Sequence, residues 1–194
     1  MRITRANRQA VKYACLNFHY AKITPTYSYA YNIYNDNSEW CGCILFGLGA
    51  TVSMAKSLNC ISGACLELQR VALNGKQGHN ATSQALSMAM KEVKKDATYL
   101  QCLFSFADSK QSHIGIIYQA TNWIFTGESK SYEYGKDNVI YHQKTVSDRT
   151  KRTGKTAAEL GFIRKRTMVK YRYIYPFDKQ VKKLILSRKL PYPK

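Results

Sequence analysis

CLELQRVALNGKQGHNATSQALSMAMKEVKK, residues 65–95, is the stretch on which the fold turns. Its first nine residues read as a strand, with Leu66, Leu68 and Val71 as the inward-facing set. The segment NGKQGHNATS (74–83) then supplies glycines and cap residues, and Ala85, Leu86, Ala89 and Val93 follow on one helical face. A loop of this kind opening a helix sets free N–H groups and a partial positive charge where an anion can sit. It is neither a P-loop nor a G-x-G-x-x-G turn. Two readings therefore stand: a phosphate cradle, or an ordinary helix start capped by Asn80, Thr82 or Ser83. Arg70, a charge inside an apolar strand, either pairs with a carboxylate such as Glu67 or meets a ligand phosphate.

Outward from this unit the pattern continues. Val11, Ala14, Cys15 and Phe18 predict an amphipathic helix over 5–18, and TYSYAYNIY (26–34) and EWCGCILFGLG (39–49) predict a hairpin turning at NDNS. Residues 50–63 read as irregular. Downstream, LQCLFSFAD (100–108) is a strand and HIGIIYQATN (113–122) a short helix. Short strands follow near 123–126, 132–134 and 139–142, then a polar link at 147–157, a helix near 155–161 and strands within 167–176. Helices alternating with strands in this order predict an α/β domain around a mixed central sheet. One domain spans 1–194, with residues 143–194 as its basic C-terminal extension.

Charge is concentrated in that extension. Residues 144–194 hold 16 Lys and Arg against 3 acids, a net of +13 out of the chain's +18. Interleaved with Tyr171, Tyr173, Tyr175 and Phe177, such a segment is the footprint of a polyanion-binding face, the alternative being a solvated basic surface. No run of about 18 apolar residues is present, and the basic N-terminus leads into no apolar segment, so the expectation is an intracellular protein without a membrane partner. Cysteines 15, 41, 43, 60, 65 and 102 form no C-x-x-C pair. They read as buried free thiols rather than as a zinc site built from Cys41, Cys43, Cys60 and Cys65.

The candidate chemistry lies at element ends. His19 and Tyr20 close the first helix, Asp108 closes a strand, and Tyr118 follows ten residues later. In α/β folds, strand ends are where ligands gather. Each residue also has an ordinary reading: a helix-terminal imidazole, a turn at Asp108-Ser109, a core phenol. Asn122-Trp123 is either an exposed pair or packing.

Four segments change this balance together: HYAK (19–22), ELQRVAL (67–73), FADSKQSHIGIIYQATNWIFTG (106–127) and YHQKTVSDR (141–149). Between about residues 14 and 175 the chain resembles the Mom-like adenine-modification proteins of bacteriophages. The resemblance implies a fold related to the acetyl-CoA-dependent N-acyltransferases of the GNAT type. It implies acetyl-CoA contacts at Arg70, Lys76, Gly78 and Ser83, although the loop departs from the Q/R-x-x-G-x-G/A pattern of those enzymes. It further implies an active-site group of His19, Tyr20, Asp108 and Tyr118, with Fe(II) on His19 and Asp108. The implied activity is phage DNA modification in the host cytoplasm, placing a carbamoylmethyl group on adenine N6 and so protecting the DNA from restriction. The added group is joined through its CH₂ carbon, which asks for more than an oxyanion hole and suits a redox-active metal. N6 takes part in base pairing, so access requires extruding the base. Double-stranded DNA is then the partner, gripped by Arg164, Lys165 and Arg166 and stacked on by Trp123. A non-catalytic DNA-binding protein and a conventional acetyl-CoA-dependent N-acetyltransferase are the competing readings, and the oligomeric state is open between monomer and homodimer.

Overall fold

A computed structural model of the 194-residue chain describes residues 1–49, 53–78, 80–109 and 113–194. Eight strands form one sheet: β1 (Arg2–Arg5), β2 (Tyr29–Tyr34), β3 (Trp40–Gly47), β4 (Cys65–Leu73), β5 (Cys102–Asp108), β6 (Ile124–Lys136), β7 (Val139–His142) and β8 (Ile163–Pro176). Their spatial order is β1-β2-β3-β4-β5-β8-β6-β7. Every neighbouring pair is antiparallel except β4 and β5, which run parallel across the connection that the sequence reads as strand, loop and helix.

Among the described residues, six helices accompany the sheet: α1 (Arg8–Phe18), α2 (Ser53–Ser57), α3 (Ala81–Asp96), α4 (Ile116–Ala120), α5 (Gln143–Thr153) and α6 (Lys179–Leu186). The period-two alternation of the strands sorts them onto two faces. One face carries Phe46, Leu66, Leu68, Leu103, Phe125 and Tyr173 against Leu86, Ala89, Met90 and Val93 of α3. On the other, Val11, Ala14 and Cys15 of α1 cover Cys43, Leu45 and Ala72. Farther along that face, Val181 and Ile185 of α6 cover Cys102, Phe104 and Ile174. Cys41 and Cys43 thus point to opposite faces, so a zinc site joining them to Cys60 and Cys65 is ruled out.

A bulge in β4 decides what surrounds the site. Between its register partners Leu45↔Arg70 and Phe46↔Leu68, Gln69 is the extra residue. One added residue inverts the alternation beyond it. Leu66, Leu68 and Val71 therefore share the α3 face, while Arg70 and Ala72 turn toward α1. Without the bulge Arg70 would point into the apolar core under α3.

The basic C-terminal portion is woven into the sheet. It supplies β8, which lies between β5 and β6, and α6, which covers β8. Its remaining helix, α5, occupies the predicted polar link, and the predicted helix at 155–161 is a run of turns.

Candidate active site

The parallel ladder between β4 and β5 runs only from Cys65↔Cys102 to Glu67↔Phe104. Past those pairs the strands diverge, and Ser105 bridges the mouth of the fork by donating from Oγ to the Leu68 carbonyl at 3.0 Å. A cavity of about 530 Å³ opens there, within the range typical of ligand pockets. Its walls include His19, Tyr20, Arg70, Asp108, His113, Tyr118 and Lys170. The structure therefore brings His19 and Tyr20 from the end of α1, Asp108 from the end of β5 and Tyr118 from α4 to one place, although 89 positions separate His19 from Asp108.

Each of these groups is chemically biased by its setting. His19 closes α1, and its Nδ1 accepts the Ala21 N–H at 3.1 Å. Burial, with the nearby Arg70 charge behind it, lowers its pKa to about 4. The ring is thus neutral near pH 7, with its proton on Nε2. Tyr118 is buried, and its hydroxyl lies 2.9 Å from Ser105 Oγ. Ser105 spends its one proton on Leu68, so Tyr118 is the donor in that pair. Burial pushes the Tyr118 phenol up to about 12. It remains protonated at neutral pH and is a hydrogen-bond donor rather than a base. Gly115 lets α4 come this close, because a Cβ there would lie 2.5 Å from the Tyr173 ring and 2.9 Å from the Tyr118 ring. Tyr20 is half exposed, its ring stacked near His19 at a centroid distance of 4.3 Å.

The His19 shift yields a stability prediction. A folded pKa of about 4 against the ordinary 6.5 means that, between those values, the unfolded chain binds a proton the folded chain refuses. The contribution is therefore complete above about pH 6.5 and is lost as pH falls toward 4. His19→Gln should lose less stability than the wild type across this window in urea melts, and equal losses would show that His19 does not carry the penalty.

The expected cofactor residues divide. Arg70 lines the cavity, donates from Nη1 to the Gln69 carbonyl at 2.6 Å, and keeps Nε buried without a partner. Gln69 Oε1 and Gln77 Oε1 are likewise buried and unpaired. Three such atoms around one bulge and the loop beyond it mark a place suited to a polar ligand. Asn80 is the N-cap of α3, but in the left-handed region at φ 57° and with no side-chain cap bond, so the expected Asn80 cap is absent, and the Ala81 N–H donates to the Gly78 carbonyl at 3.4 Å. Ser83 does not line the cavity: its hydroxyl returns to the Asn80 carbonyl at 2.8 Å, and Thr82 faces the space instead. Lys76 and Gly78 are exposed in the loop and lie outside the lining.

The expected DNA contacts divide as well. Arg164, Lys165 and Arg166 are exposed at the start of β8. Trp123 is fully buried, its Nε1 donating to Met90 Sδ at 3.3 Å and its ring tilted against Tyr118 at 5.3 Å. No face of it is available to a base, which corrects the expected stacking role. Two cavity residues were missed. His113 lies within 106–127, close to Asp108, and proximity to that carboxylate could have marked it. Lys170 sits opposite Asp108 in the β5–β8 register, a pairing that no local pattern announces.

Comparison with known proteins agrees with this geometry. The Mom protein family matches residues 1–194. Methylcarbamoylase mom of Escherichia phage Mu is 32% identical over 136 residues, covering 66% of this chain and 56% of that protein. The matched part is thus little more than half the length of that relative. Among solved structures, a spermidine N-acetyltransferase chimera of Vibrio cholerae SpeG and hSSAT aligns with a TM-score of 0.54 at 9% identity, covering 95% of this chain and 99% of that one. A Bacillus subtilis acetyltransferase in complex with CoA aligns with a TM-score of 0.52 at 10% identity, covering 91% and 98%. At such identities the likeness speaks for the fold alone, and that fold is the GNAT-type mixed sheet. Among the described residues, no helix is long and apolar enough to cross a membrane.

Proposed function

Because this chain belongs to the Mom protein family, we propose that it is a DNA-modifying transferase that places a carbamoylmethyl group on adenine N6 of double-stranded phage DNA, shielding it from restriction. The observation that carries the reading is the convergence of His19, Tyr20, Asp108 and Tyr118 on one cavity at the β4–β5 fork. Joining N6 to the CH₂ carbon costs N6 one proton, for which the Asp108 carboxylate is the assigned acceptor, while the carbon gives up the substituent that N6 replaces, together with its bonding electrons. Tyr118 holds its own proton, and the Nδ1 lone pair of His19 is engaged by Ala21. The neutral His19 ring offers its Nε2–H to the substrate.

An acyl-CoA-type donor fits the other side of the fork. Its phosphates would take the N-terminal end of α3 and the side chain of Arg70, and the unpaired polar atoms at the bulge support this placement. Lys76 and Gly78 would act only as backbone and charge around that entrance.

A ferrous ion suits the donor set by type. His19 is a neutral imidazole and Asp108 a carboxylate, and both line the cavity. His113 shares the cavity wall, but among the described residues no three His, Cys or carboxylate ligand atoms gather there, so a bound ion would keep open positions. It would also cost His19 the Ala21 hydrogen bond, because binding through Nδ1 uses that lone pair and binding through Nε2 moves the proton onto Nδ1. When bound, such an ion supplies the redox chemistry that bond formation at an unactivated carbon calls for.

β8 links this site to the basic face. Arg166 and Lys170 are four residues apart on one strand, about 13 Å, so one strand runs from exposed cations to the cavity wall. Replacing Arg164, Lys165 and Arg166 by Ala should weaken binding to all DNA sequences alike. The log–log salt slope should fall by about 0.9 for each phosphate that is no longer neutralised. An unchanged slope would remove this stretch from the interface.

Nucleoside mass spectrometry of DNA from cells expressing the protein tests the activity. Carbamoylmethyl-deoxyadenosine supports the proposal. Acetyl-deoxyadenosine, lighter by one NH, would make the chain a conventional acetyltransferase, and unmodified DNA would make it a binding protein.

A further inference from the structure

At the opposite end of the sheet from the cavity, three cysteines meet. Cys65 and Cys102 are the first register pair of the parallel β4–β5 ladder, so their side chains leave the sheet side by side. Their sulfurs are 3.0 Å apart. Cys60 comes from the loop after α2, and its sulfur is 3.9 Å from that of Cys102. All three sulfurs lie within 4.8 Å of one another. The loop is pinned in this position from both sides: Cys60 N–H donates to the Ala55 carbonyl at 2.9 Å, and Ile61 N–H donates to Gln101 Oε1 at 2.7 Å.

Ligands of one ion with metal–sulfur bonds of about 2.3 Å stand about 3.8 Å apart in a tetrahedron, or about 4.0 Å in a trigonal plane. The Cys60–Cys102 pair, at 3.9 Å, already has that spacing, and the Cys65–Cys102 pair, at 3.0 Å, would open by about 0.8 Å on binding. Its shell is apolar, formed by Met54, Leu58, Phe104, Ile174, Val181 and Ile185. Such a shell disfavours anionic sulfur unless a cation or S–H donors accompany it. Cys65 and Cys102 are buried, whereas Cys60 is half-buried and gives an ion a way in.

We propose that Cys60, Cys65 and Cys102 form a trithiolate site for a thiophilic closed-shell cation, Zn(II) or Cu(I), that fastens the loop after α2 to the starts of β4 and β5. Thiolate ligands select these ions, and binding exchanges thiol protons for the metal. Cys102 and Asp108 are six residues apart on β5, about 20 Å along the strand. The site is therefore separate from the candidate active site and stands or falls independently of the activity proposed there.

The test uses reduced, metal-free full-length protein, titrated with Zn(II) and, in a second arm under strong reductant, with Cu(I). The wild type should retain one equivalent through gel filtration, and its Tm should rise with metal concentration. Cys60→Ser should weaken binding by at least about tenfold, a loss that even outer-shell changes produce, and should abolish the Tm rise. Zn(II) should also protect Cys60 of the wild type from alkylation, which reads the site without any substitution. Retention by only one of the two ions identifies the occupant. The proposal is overturned if neither ion is retained, if Cys60→Ser binds like the wild type, or if Cys65 and Cys102 prove joined as a disulfide in protein kept under reductant.

Discussion

Asp108→Asn and His19→Ala should each cut the yield of modified deoxyadenosine by about 10²–10⁴-fold, the range in which positioned acid–base groups contribute. Asp108→Asn is the sharper of the two. It keeps the shape at the end of β5 and removes the carboxylate charge, and with it the capacity to accept the N6 proton. Both residues are half-buried at element ends rather than in the core, so the melting temperature should stay within a few degrees of the wild type. DNA binding, which is proposed to rest on the basic face, should persist. Chelation should abolish modification if an ion is held by His19 and Asp108, with ferrous iron restoring it better than zinc. Full activity in Asp108→Asn would remove the carboxylate from the chemistry. A collapse in stability would instead make it a structural residue.

Trp123→Ala should be the most damaging single substitution for stability. The indole is fully buried between Met90, Tyr118 and Tyr175, and its carbonyl accepts the Tyr192 hydroxyl at 2.8 Å. Removing a buried Trp side chain costs about 3–5 kcal/mol. For a chain of this size that corresponds to a Tm drop of about 6–20 °C. Below its melting point the variant should bind DNA with unchanged salt dependence. A small Tm change with a large loss of DNA affinity would restore Trp123 as a base-stacking residue.

How far the sequence could be read depends on how local each signal is. β4, the loop after it and α3 were legible because one strand face and one helical face recur without interruption from Leu66 to Val93. Even the bulge is written there: Leu66 and Leu68 are two apart, while Val71 is three beyond Leu68, the slip of one residue that Gln69 absorbs. By contrast, β6 reads as separate short strands because Gly127 and Gly135 punctuate it, and its pairing with β8 shifts between Phe125 and Glu128. α5 was missed because QKTVSDRTKRT offers almost no apolar stripe, Val146 being its one buried hydrophobic residue. At the site, Asp108 and His19 were legible as element ends and Tyr118 by its place ten residues after Asp108, and the resemblance grouped them. Lys170 was not, since its place depends on a register between strands 60 residues apart in sequence. Trp123 shows the converse: next to Asn122 it looks like a surface pair, yet α4 and the C-terminal residues close over it.

The position of β8 has a consequence for biogenesis. The strand that joins β5 to β6 is the last one synthesised, so while residues 163–176 are still being made, β5 and β6 each expose an unpaired edge. Contacts between such distant segments form slowly, and open edges invite pairing with other chains. Asp108 lies on one of those edges, opposite Lys170. The nascent chain therefore has no finished cavity until its most cationic strand docks, so the proposed polyanion grip and the proposed catalytic competence would be acquired in the same folding event, and a prematurely terminated product should lack both.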